Sequence, residues 1–535
     1  MNPLVVCDGV TYRYRDGTLA LHQVSLTIDE GEFVIVAGAS GSGKSTLCRL
    51  FNGLIPHLYS GDLSGRALVA GHNVRSTPPY VLSRSVGLAL QNPEAQSLAT
   101  TVARDLALGP ACQGLDCATI AERVHEVAAL LAIDPLLDRQ VSALSGGEVQ
   151  RVAIAGVLAL HPRLLALDEP FAFLDAAGGG RLRETLRMLH RRGVTIVVAE
   201  HRLAEVVDLA TRLIVLHEGQ VVADGMPRSV LACDVSQWNL ESPPLVRLAR
   251  AAGLDATPLT LDEALDIAPS LARRLSSQDN APAVSPAIIW EDVSFARGNR
   301  LVLHQARLSA APGDIVGLLG ANGAGKTTFL RLGNGLLRPQ RGIVRVQGRP
   351  IGRRPLWEIA RDVGIVGQHP WHMLFAPTVQ DELETGPRAL NRLDRTWLAR
   401  VIERCHLESL LHRSPHRLSA GEQRRVAIAA ILASRPSILL LDEPTAGQDA
   451  LNRQALRALI ADVAGDGMTV VIATHDTEWA YHLCNRWAVL DHGSVVACDA
   501  PSAICAQPTI IEQARLRLPA EEALRQKAMR IVARV

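Results

Sequence analysis

Two glycine-rich loops, one in each half of the chain, contain the residue types that hold phosphate groups. Residues 38–45 and 320–327 both fit the pattern G-x-x-x-x-G-K-[ST], and each lies between an apolar run and a helical pattern. The glycines let backbone N–H groups turn toward phosphate oxygens, and the N-terminus of the following helix favours an anion. We therefore expect Lys44 and Lys326 to reach the β- and γ-phosphates of a nucleoside triphosphate, and the hydroxyl residue after each lysine to bind Mg²⁺.

The lysine content of the chain supports this interpretation. The sequence has only three lysines, Lys44, Lys326 and Lys527, and arginine carries the other basic charge. Lysine offers a compact ammonium on a flexible stem, which the planar guanidinium of arginine does not replace. Chance is a poor explanation for two of three lysines in matched loops. The residues expected to line the loops are Gly38, Ala39, Ser40, Gly41, Ser42, Gly43, Lys44, Ser45 and Thr46, and Gly320, Ala321, Asn322, Gly323, Ala324, Gly325, Lys326, Thr327 and Thr328.

An Asp–Glu pair follows an apolar strand pattern in each half. Asp168 and Asp442 end these strands, where a carboxylate can hold the shell of a magnesium ion. Glu169 and Glu443 come next in the chain, and we expect them to act as the bases that polarise the attacking water. Acidic pairs on an ordinary surface would not explain why both halves have them at the same position.

A histidine closes the next apolar strand pattern in each half. TIVVAEH ends at His201 and TVVIATH ends at His475. A lone histidine is more often structural than functional, but in an α/β sheet this strand end lies beside the phosphate site. We therefore expect both histidines to contact the γ-phosphate and to take part in catalysis.

These matched motifs belong to an internal repeat. They recur in the same order, and the later ones keep a constant spacing of 274 residues, as between His201 and His475. Each half alternates apolar β-branched runs with helical patterns, which predicts an α/β domain with a largely parallel core sheet. The predicted organisation is a first domain at 1–235, a helical appendage and linker at 236–284, a second domain at 285–505 and a C-terminal helical tail at 506–535.

The composition narrows the class of protein. A chain of 535 residues is too long for one hydrophobic core, and a net charge of +1 gives no general attraction to nucleic acid or anionic lipid. No apolar run reaches the roughly 18 residues of a membrane span, and the N-terminal residues lack the pattern of a signal peptide. The nine cysteines form no complete zinc pattern, which favours reduced structural thiols in a cytosolic protein.

A further motif precedes each Asp–Glu pair. The segments LSGGEVQR, which begins at Leu144, and LSAGEQRR, which begins at Leu418, resemble the signature of ATP-binding cassette (ABC) ATPases. With the phosphate loops and the histidines, this resemblance covers nearly the whole chain. It implies two ABC nucleotide-binding domains of the P-loop NTPase type, each with a mostly parallel core sheet, an antiparallel β subdomain and an α-helical signature subdomain. It also implies that the chain binds ATP with Mg²⁺ and hydrolyses ATP.

In this family two cassettes pair head to tail, and ATP on one phosphate loop is capped by the signature of the other cassette. The resemblance therefore implies that the two cassettes of this chain pair with each other, with signature N–H groups facing the γ-phosphate. The signature residues are Ser145, Gly146, Gly147, Glu148, Ser419, Ala420, Gly421 and Glu422. The implied Mg²⁺ ligands are Ser45, Gln91, Asp168, Thr327, Gln368 and Asp442, with Gln91 and Gln368 also in contact with ATP.

The two composite ATP sites are expected to differ. The site on Lys326 would be capped by a signature with both glycines, whereas the site on Lys44 would be capped by one with Ala420 in place of the first glycine. If that position needs a positive φ or a close backbone approach, Ala420 weakens the cap. Because Glu169 is intact, we expect reduced rather than abolished turnover at the Lys44 site.

The adenine side also differs between the halves. Family cassettes stack the base on an aromatic residue shortly after the first strand, and Tyr14 fits that position. The second half aligns Arg297 with Tyr14. A guanidinium can also stack on a base, and Phe295 is nearby, so both residues are candidates there.

The first Gln loop resembles that of the ATPases of energy-coupling factor (ECF) importers, which take up vitamins and transition-metal ions in prokaryotes. The resemblance rests on QNPEAQ at 91–96 and on the TTVARDLALGP that follows. It implies a peripheral protein at the cytoplasmic face of the cell membrane. The implied partners are a membrane coupling protein, docked near Glu94 and Gln96, and a substrate-binding membrane subunit. The second loop keeps Gln368 and a proline but lacks the acidic residue.

Other classes share parts of this pattern. A tandem ATPase of a conventional importer, such as a sugar importer, would have the same chemistry and a different membrane partner. Ribosome-associated ABC-F proteins are tandem as well, but their linker is usually long, charged and helical, whereas here it has little charge and several prolines. The iron–sulfur type that recycles ribosomes needs an N-terminal cysteine cluster, and only Cys7 is present. We therefore expect no nucleic-acid partner.

Overall fold

The computed structural model describes residues 3–91, 93–144, 146–172, 174–267, 285–298 and 300–532, without the side chains of Glu94, Ile531 and Val532. The chain divides into two compact units, Met1–Leu271 (unit 1) and Ala272–Val535 (unit 2). In each unit the described strands form a four-stranded antiparallel sheet and a six-stranded, mostly parallel sheet. The predicted α/β class, with a largely parallel core sheet in each half, is confirmed.

The described part of unit 1 contains ten strands: β1 (Pro3–Tyr14), β2 (Leu19–Asp29), β3 (Phe33–Ala37), β4 (Gly61–Val69), β5 (His72–Asn73), β6 (Val86–Ala89), β7 (Leu164–Asp168), β8 (Thr195–Glu200), β9 (Arg212–His217) and β10 (Gln220–Gly225). The antiparallel sheet has the order β2-β1-β4-β5. The larger sheet has the order β10-β9-β3-β8-β7-β6, in which only the β10–β9 pair is antiparallel.

The α-helices of the described part of unit 1 are α1 (Lys44–Phe51), α2 (Leu54–His57), α3 (Pro79–Leu82), α4 (Val102–Cys112), α5 (Cys117–Leu131), α6 (Gly146–Leu158), α7 (Ala176–Arg191), α8 (Pro227–Ala232), α9 (Pro244–Ala251) and α10 (Leu261–Ile267). Helix α1 follows the first phosphate loop and α6 begins in the first signature. Short 3-10 turns connect several of these elements.

The described part of unit 2 repeats this architecture with the strands β11 (Ile288–Arg297), β12 (Arg300–Ala310), β13 (Ile315–Leu319), β14 (Arg341–Val346), β15 (Arg349–Pro350), β16 (Val363–Val366), β17 (Ile438–Asp442), β18 (Thr469–Thr474), β19 (Arg486–Asp491) and β20 (Ser494–Asp499). Its sheets have the orders β12-β11-β14-β15 and β16-β17-β18-β13-β19-β20. Its helices are α11 (Lys326–Gly333), α12 (Leu356–Ile359), α13 (Val379–Ala389), α14 (Arg395–Arg404), α15 (Ala420–Ala433), α16 (Ala450–Gly465), α17 (Thr477–Tyr481), α18 (Pro501–Cys505), α19 (Pro508–Gln513) and α20 (Ala520–Val532).

Strand β3 explains why the core strands have continuous apolar sequences. Phe33 and Ile35 pack into the hydrophobic core on one face of the parallel sheet, and Val34 and Val36 pack into the core on the other face. All five residues of the strand are buried. A parallel strand covered on both faces needs apolar residues at every position. This buried strand leads directly into the phosphate loop.

The predicted functional residues lie at one edge of each large sheet. In unit 1, β3 leads into the loop before α1, β7 ends at Asp168, β8 ends at Glu200, and β6 is followed by Gln91. These strands are parallel, so their carboxyl ends meet on the same side, where ligands bind in open α/β sheets. The fold therefore brings separate motifs of the sequence to one place.

Each unit ends in a helical appendage. In unit 1, Arg228 of α8 binds Glu263 of α10 through two hydrogen bonds of 2.7 and 2.9 Å. In unit 2, the Tyr481 hydroxyl donates a 2.6 Å hydrogen bond to Glu522 of α20. The boundary between the units falls inside the segment predicted as appendage and linker, and residues 268–284 of that segment lie outside the described residues. Across the described parts of the chain, no helix combines the length and apolar character that crossing a membrane requires.

Candidate functional site

The two phosphate loops require glycine at defined positions. Gly43 and Gly325 immediately precede α1 and α11 with φ values of 103° and 107°, in the region that other residues rarely adopt. A Cβ atom on Gly38 would lie 2.2 Å from the Ser42 Oγ atom and 2.4 Å from the carbonyl oxygen of Leu216. The sequence pattern is therefore needed for the backbone path, independently of any bound nucleotide.

Both loop lysines are buried and turn back over their own loops. The Lys44 ammonium donates hydrogen bonds of 2.8 Å to the carbonyl oxygens of both Gly38 and Ala39. The Lys326 ammonium donates equivalent bonds of 2.7 and 3.2 Å to Gly320 and Ala321. Each loop thus holds a cation at its centre, beside the N-terminus of a helix, which suits an anionic ligand.

The hydroxyl and aspartate predicted to hold Mg²⁺ are in contact in both units. Ser45 donates a 3.0 Å hydrogen bond to Asp168, and Thr327 donates a 2.7 Å bond to Asp442. Burial raises the pKa of Asp168 to about 6 and also raises the pKa of Asp442. The Oδ1 atom of Asp442 is buried without a hydrogen-bond partner among the described residues. Oxygen donors of this kind are the ligands that Mg²⁺ prefers, so these residues fit the ion.

In unit 1 the predicted base lies between the predicted glutamine and histidine. The Gln91 side chain donates a 2.8 Å hydrogen bond to the Glu169 carboxylate, and the His201 Nδ1 atom lies 3.3 Å from its other oxygen. Burial raises the pKa of Glu169, but the hydrogen bond and charge of His201 and the charge of Lys44 outweigh burial and lower the pKa overall. The carboxylate is therefore ionised at neutral pH, as a proton acceptor must be.

In unit 2 the corresponding base has other partners. The His475 Nδ1 atom lies 2.9 Å from the Glu443 carboxylate, and the Thr474 hydroxyl donates to the same oxygen at 3.3 Å. The Lys326 ammonium lies 3.5 Å from the second carboxylate oxygen. The positive charges of His475 and Lys326 outweigh burial and lower the pKa of Glu443. Both bases are thus buried and ionised, with different neighbours.

The two bases share an unusual backbone conformation. Glu169 and Glu443 have φ values of 49° and 47°, in the left-handed region, directly after the strand-ending aspartates. Their N–H groups donate to the carbonyl oxygens of Ala199 and Ala473 in the neighbouring strands, at 2.9 and 2.8 Å. Backbone strain of this kind concentrates at functional sites, because the surrounding sheet must hold it in place.

Comparison with known sequences identifies the family of this chain. The family model described as "ABC transporter" matches residues 21–172 and 303–446, which together make up more than half of the chain. The chain belongs to the ABC transporter family. Its two matches each contain a phosphate loop, a signature and the Asp–Glu pair, so it is an ABC ATPase with two cassettes in one chain. Proteins of this family bind ATP, normally with Mg²⁺, and hydrolyse it to power transport.

Relatives of similar length match this chain over most of both sequences. A protein of Streptomyces avermitilis, provisionally named as an ABC transporter ATP-binding protein, is 36% identical over 533 residues, which cover 92% of each chain. A protein of Methanosarcina mazei with the same provisional name is 33% identical and covers 97% of this chain and 93% of its own. Among solved structures, cbiO1 of Clostridium perfringens, described as part of the ABC transporter complex cbiONQ, is 31% identical, covers 47% of this chain and 100% of its own, and gives a TM-score of 0.40.

The ABC signatures open helices α6 and α15. Ser419 is the N-cap of α15, and it forms a reciprocal capping box with Glu422. Gly146, Gly147 and Glu148 form the first turn of α6, and Gly421 follows Ala420 in α15. Ser145 lies outside the described residues. Capping of each phosphate loop by the signature of the other ABC cassette stays a prediction.

The structure corrects one reason given for a weak Ala420 cap. Ala420 does not have a positive φ, and both Ala420 and Gly146, its counterpart in unit 1, lie in the first turn of a helix. A Cβ atom on Gly146 would also meet no atom within 4 Å. Alanine is therefore unstrained at this position. Of the two reasons considered, only a close approach by the nucleotide still favours glycine.

The residues predicted on the adenine side have different surroundings in the two units. The half-buried Tyr14 packs edge-on against Tyr12, and its hydroxyl lies 3.0 Å from the Thr46 hydroxyl in α1. Arg297 is exposed at the end of β11, and Phe295 packs partly against the core of unit 2. Tyr14 is thus bound to the phosphate-loop helix α1, where Arg49 also donates to its hydroxyl at 3.4 Å.

After each Gln loop, the chain exposes one apolar side chain at the same position of the repeat. The Gln96 amide bonds to the backbone of Leu88 and Leu90 at 2.9 and 2.8 Å, so it holds the loop rather than projecting from it. The Glu94 side chain lies outside the described residues. Leu98 and Phe375, each seven residues after the loop glutamine, are 78% and 71% exposed. The sequence did not predict these two exposed apolar side chains.

Two further residues beside the bases were also missed. Glu200 precedes His201, where unit 2 has Thr474, and Arg424 follows the second signature, where unit 1 has Gln150. The constant spacing of the repeat could have revealed both exchanges, since each replaces a neutral residue with a charged one in only one half. Their proximity to the bases, however, depends on packing that the sequence pattern does not specify.

Proposed function

We propose that each phosphate loop and the polar residues beside it form an ATP-hydrolysing site. Lys44 and Lys326, held at the loop centres, bind the β- and γ-phosphates. Glu169 and Glu443 accept a proton from the attacking water, and the contact of each base with its strand-end histidine is the observation that carries this assignment. The chemistry that Mg²⁺ supplies at the hydroxyl–aspartate pair is neutralisation of charge on the phosphate oxygens.

We further propose that the two cassettes of one chain pair head to tail, so that each ATP lies between a phosphate loop and the other signature. Helices α6 and α15 support this proposal, because each begins within a signature, and the N-terminus of a helix favours an anion. In this proposal the two cassettes close only when ATP lies between them, and hydrolysis lets them separate. ATP hydrolysis is thereby coupled to a movement of the cassettes.

The transporter is proposed to be an importer of the ECF type, which takes up a vitamin, a vitamin precursor or a transition-metal ion. The Gln-loop sequence supports this type. In this proposal the chain lies at the cytoplasmic face of the cell membrane and docks to a coupling protein. Leu98 and Phe375 agree with this docking, because an exposed apolar side chain lies at the same position after the Gln loop of each unit.

These exposed residues are also held in defined positions. The backbone N–H group of Leu98 donates to the Asp105 carboxylate at 2.8 Å, and that of Phe375 donates to Glu382 at 2.8 Å. The carboxylate in each case belongs to the following helix, α4 or α13, and also binds the next N–H group. A preorganised apolar residue loses little entropy on binding a partner, as a docking contact requires.

Purification of the chain from native membranes with mild detergent tests this function. Recovery of a membrane coupling protein together with a small substrate-binding membrane subunit supports the ECF assignment. Recovery of a permease pair with a soluble sugar-binding protein would replace it with the conventional importer class. Recovery with ribosomes would reject the importer function. A Lys44→Ala, Lys326→Ala chain serves as the control for ATP-dependent association.

A further inference from the structure

Two pairs of equivalent positions beside the bases differ in charge between the units. Glu200 in unit 1 corresponds to Thr474 in unit 2, and Gln150 in unit 1 corresponds to Arg424 in unit 2. All four side chains are buried, with no more than 6% of any residue exposed. At these two positions, unit 1 has one additional carboxylate, and unit 2 has one additional guanidinium.

The exchange two residues after Glu200 has the opposite sign, with Arg202 in unit 1 and Asp476 in unit 2. Both of these side chains have other partners. Arg202 donates to the carbonyl oxygen of Phe171 at 2.7 Å, and Asp476 pairs with Arg453 at 2.9 Å.

Glu200 lies next to the histidine expected at the γ-phosphate. Its Oε1 atom accepts 3.0 Å hydrogen bonds from the backbone N–H groups of His201 and Arg202, and it lies 3.5 Å from the His201 Nδ1 atom. Its Oε2 atom is buried without a hydrogen-bond partner among the described residues. The local backbone therefore fixes this carboxylate beside the catalytic residues of unit 1.

Thr474 makes the same turn in unit 2 without a charge. Its hydroxyl oxygen accepts a 3.0 Å hydrogen bond from the N–H group of Asp476, as Glu200 accepts from Arg202. The hydroxyl also donates to the Glu443 carboxylate at 3.3 Å. An ionised carboxylate cannot donate such a bond. The exchange therefore changes the electrostatics of the site while it preserves the fold of the strand end.

Arg424 adds a positive charge to unit 2 at the position where unit 1 has the neutral Gln150. Its guanidinium donates hydrogen bonds to the carbonyl oxygens of Glu443 at 2.6 Å and Gln368 at 3.2 Å, so it links the base to the Gln loop. Burial lowers the pKa of Arg424 to about 10, which still leaves it cationic at neutral pH. In unit 1, both amide atoms of Gln150 are buried without a hydrogen-bond partner among the described residues.

We propose that Glu200 and Arg424 give the two nucleotide sites unequal affinities for ATP, with the Lys326 site tight and the Lys44 site weak. The reason is Coulombic, because an added carboxylate repels a polyphosphate and an added guanidinium attracts it, and both act in a buried setting with little screening. This inference rests on the proposed role of both phosphate loops. It concerns affinity within each cassette, whereas the Ala420 exchange concerns the cap that the other cassette supplies.

We expect the charge of Glu200 to affect the affinity for ATP more than the affinity for ADP. Glu200 lies beside His201, which is expected at the γ-phosphate, so its charge should oppose a triphosphate more than a diphosphate. A purely structural role would change the affinities for both nucleotides alike. Glu200→Gln is the informative variant, because the amide oxygen can still accept the two backbone hydrogen bonds while the charge is lost.

The test uses the full chain with one site disabled and measures equilibrium binding of ATPγS and of ADP, both with Mg²⁺. In the Lys326→Ala background, Glu200→Gln is expected to raise the ATPγS affinity about 5- to 10-fold and the ADP affinity less than about 2-fold. The matched control is Glu126→Gln, which removes one exposed negative charge from helix α5 of unit 1. It is expected to change neither affinity by more than about 1.5-fold.

The reciprocal test uses the Lys44→Ala background. Thr474→Glu and Arg424→Gln are each expected to lower the ATPγS affinity of the Lys326 site about 5-fold or more, whereas Arg424→Lys is expected to retain most of it. Arg424→Gln leaves the Glu443 carbonyl without its donor, so the midpoint of thermal unfolding is measured for each variant. Glu200→Gln and Thr474→Glu keep the inference testable if Arg424→Gln fails to fold.

The result that overturns the inference is an unchanged ATPγS affinity in Glu200→Gln, or an equal gain for ATPγS and ADP. Equal affinities of the two isolated sites in the otherwise unaltered chain would overturn it as well. These outcomes differ from failure of the proposed function. If neither Lys44→Ala nor Lys326→Ala removes a binding site, the phosphate loops are not the nucleotide sites, and both proposals fail.

Discussion

The Lys326 ammonium lies 3.5 Å from the Glu443 carboxylate, so the lysine proposed to bind phosphate and the proposed base of unit 2 form a buried ion pair. In unit 1 the corresponding base is bonded by the Gln91 side chain at 2.8 Å instead. The side chains that contact the proposed base therefore differ between the two cassettes. We expect hydrolysis at the two sites to differ, and the following variants separate their contributions.

Removing the unit 2 base should abolish most of the activity. Glu443→Gln keeps the shape of the side chain but not the proton acceptor, so we expect phosphate release by the chain to fall about 100-fold or more. Glu169→Gln should cause a smaller loss, because the Lys44 site is expected to turn over more slowly. Steady-state phosphate release measures both. Full activity in Glu443→Gln would contradict a dominant Lys326 site.

Exchange of the differing signature residue should act on the opposite cassette. Ala420→Gly, in the Glu443→Gln background, is expected to raise the remaining hydrolysis about 2-fold or more if the nucleotide approaches the helix closely. The converse variant Gly146→Ala, in the Glu169→Gln background, should lower it. Because a Cβ atom at Gly146 meets nothing within 4 Å, neither variant should alter the thermal unfolding midpoint appreciably. No change in hydrolysis in either variant would reject the signature-cap assignment.

The Thr327 hydroxyl, which contacts Asp442 in unit 2, should determine how much Mg²⁺ the hydrolysis requires. Thr327→Ala removes the group that now donates to Asp442 at 2.7 Å, and with it one expected oxygen ligand. We expect the Mg²⁺ concentration for half-maximal hydrolysis to rise about 10-fold. Thr509→Ala, at an exposed position in α19, is the matched control. An unchanged Mg²⁺ dependence in Thr327→Ala would argue against metal binding there.

The two exposed apolar residues after the Gln loops should determine association with membrane partners. Leu98→Ser with Phe375→Ser is expected to reduce the amount of membrane protein that co-purifies with the chain about 10-fold, as loss of apolar interface anchors does. Leu58→Ser is the control, since Leu58 is 68% exposed and lies away from the Gln loop in sequence. Normal co-purification of the double variant would remove these residues from the docking surface.

The sequence predicts the parts of the site that are encoded locally. The phosphate loops, the strand-ending aspartates and the histidines lie where the motifs indicate, because each motif fixes a short strand–loop–helix segment. The parallel sheet then brings their ends together. The presence of two α/β cassettes follows from the repeat alone. Motif reasoning therefore succeeds where short-range sequence determines backbone path.

The features of the site that the sequence did not predict depend on side-chain packing between segments that are distant in the chain. Arg424 is 19 residues from Glu443 and 56 from Gln368, and only the folded chain brings its guanidinium to both carbonyl oxygens. The inward direction of the Gln96 amide is equally invisible in the sequence. The φ of Ala420 was open as well, because a signature glycine is compatible with either sign of φ.

The C-terminal tail provides a last test, because it is attached directly to the helix that follows the unit 2 histidine. The Tyr481 hydroxyl in α17 donates a 2.6 Å hydrogen bond to Glu522, which is only 1% exposed and lies in α20. Tyr481→Phe leaves that buried carboxylate with one donor fewer, although Arg525 still lies 2.8 Å from it. We expect a local loss of about 1 kcal/mol.

Hydrogen–deuterium exchange of peptides from 520–532 measures this loss. About 1 kcal/mol corresponds to roughly 5-fold faster exchange, if the tail opens without unfolding the whole unit. Peptides from β13 should exchange as before, because that strand lies in the centre of the parallel sheet. Tyr80→Phe is the matched control, since Tyr80 is 69% exposed in α3. Equal acceleration in β13 and in the tail would mean that the tail unfolds only together with unit 2.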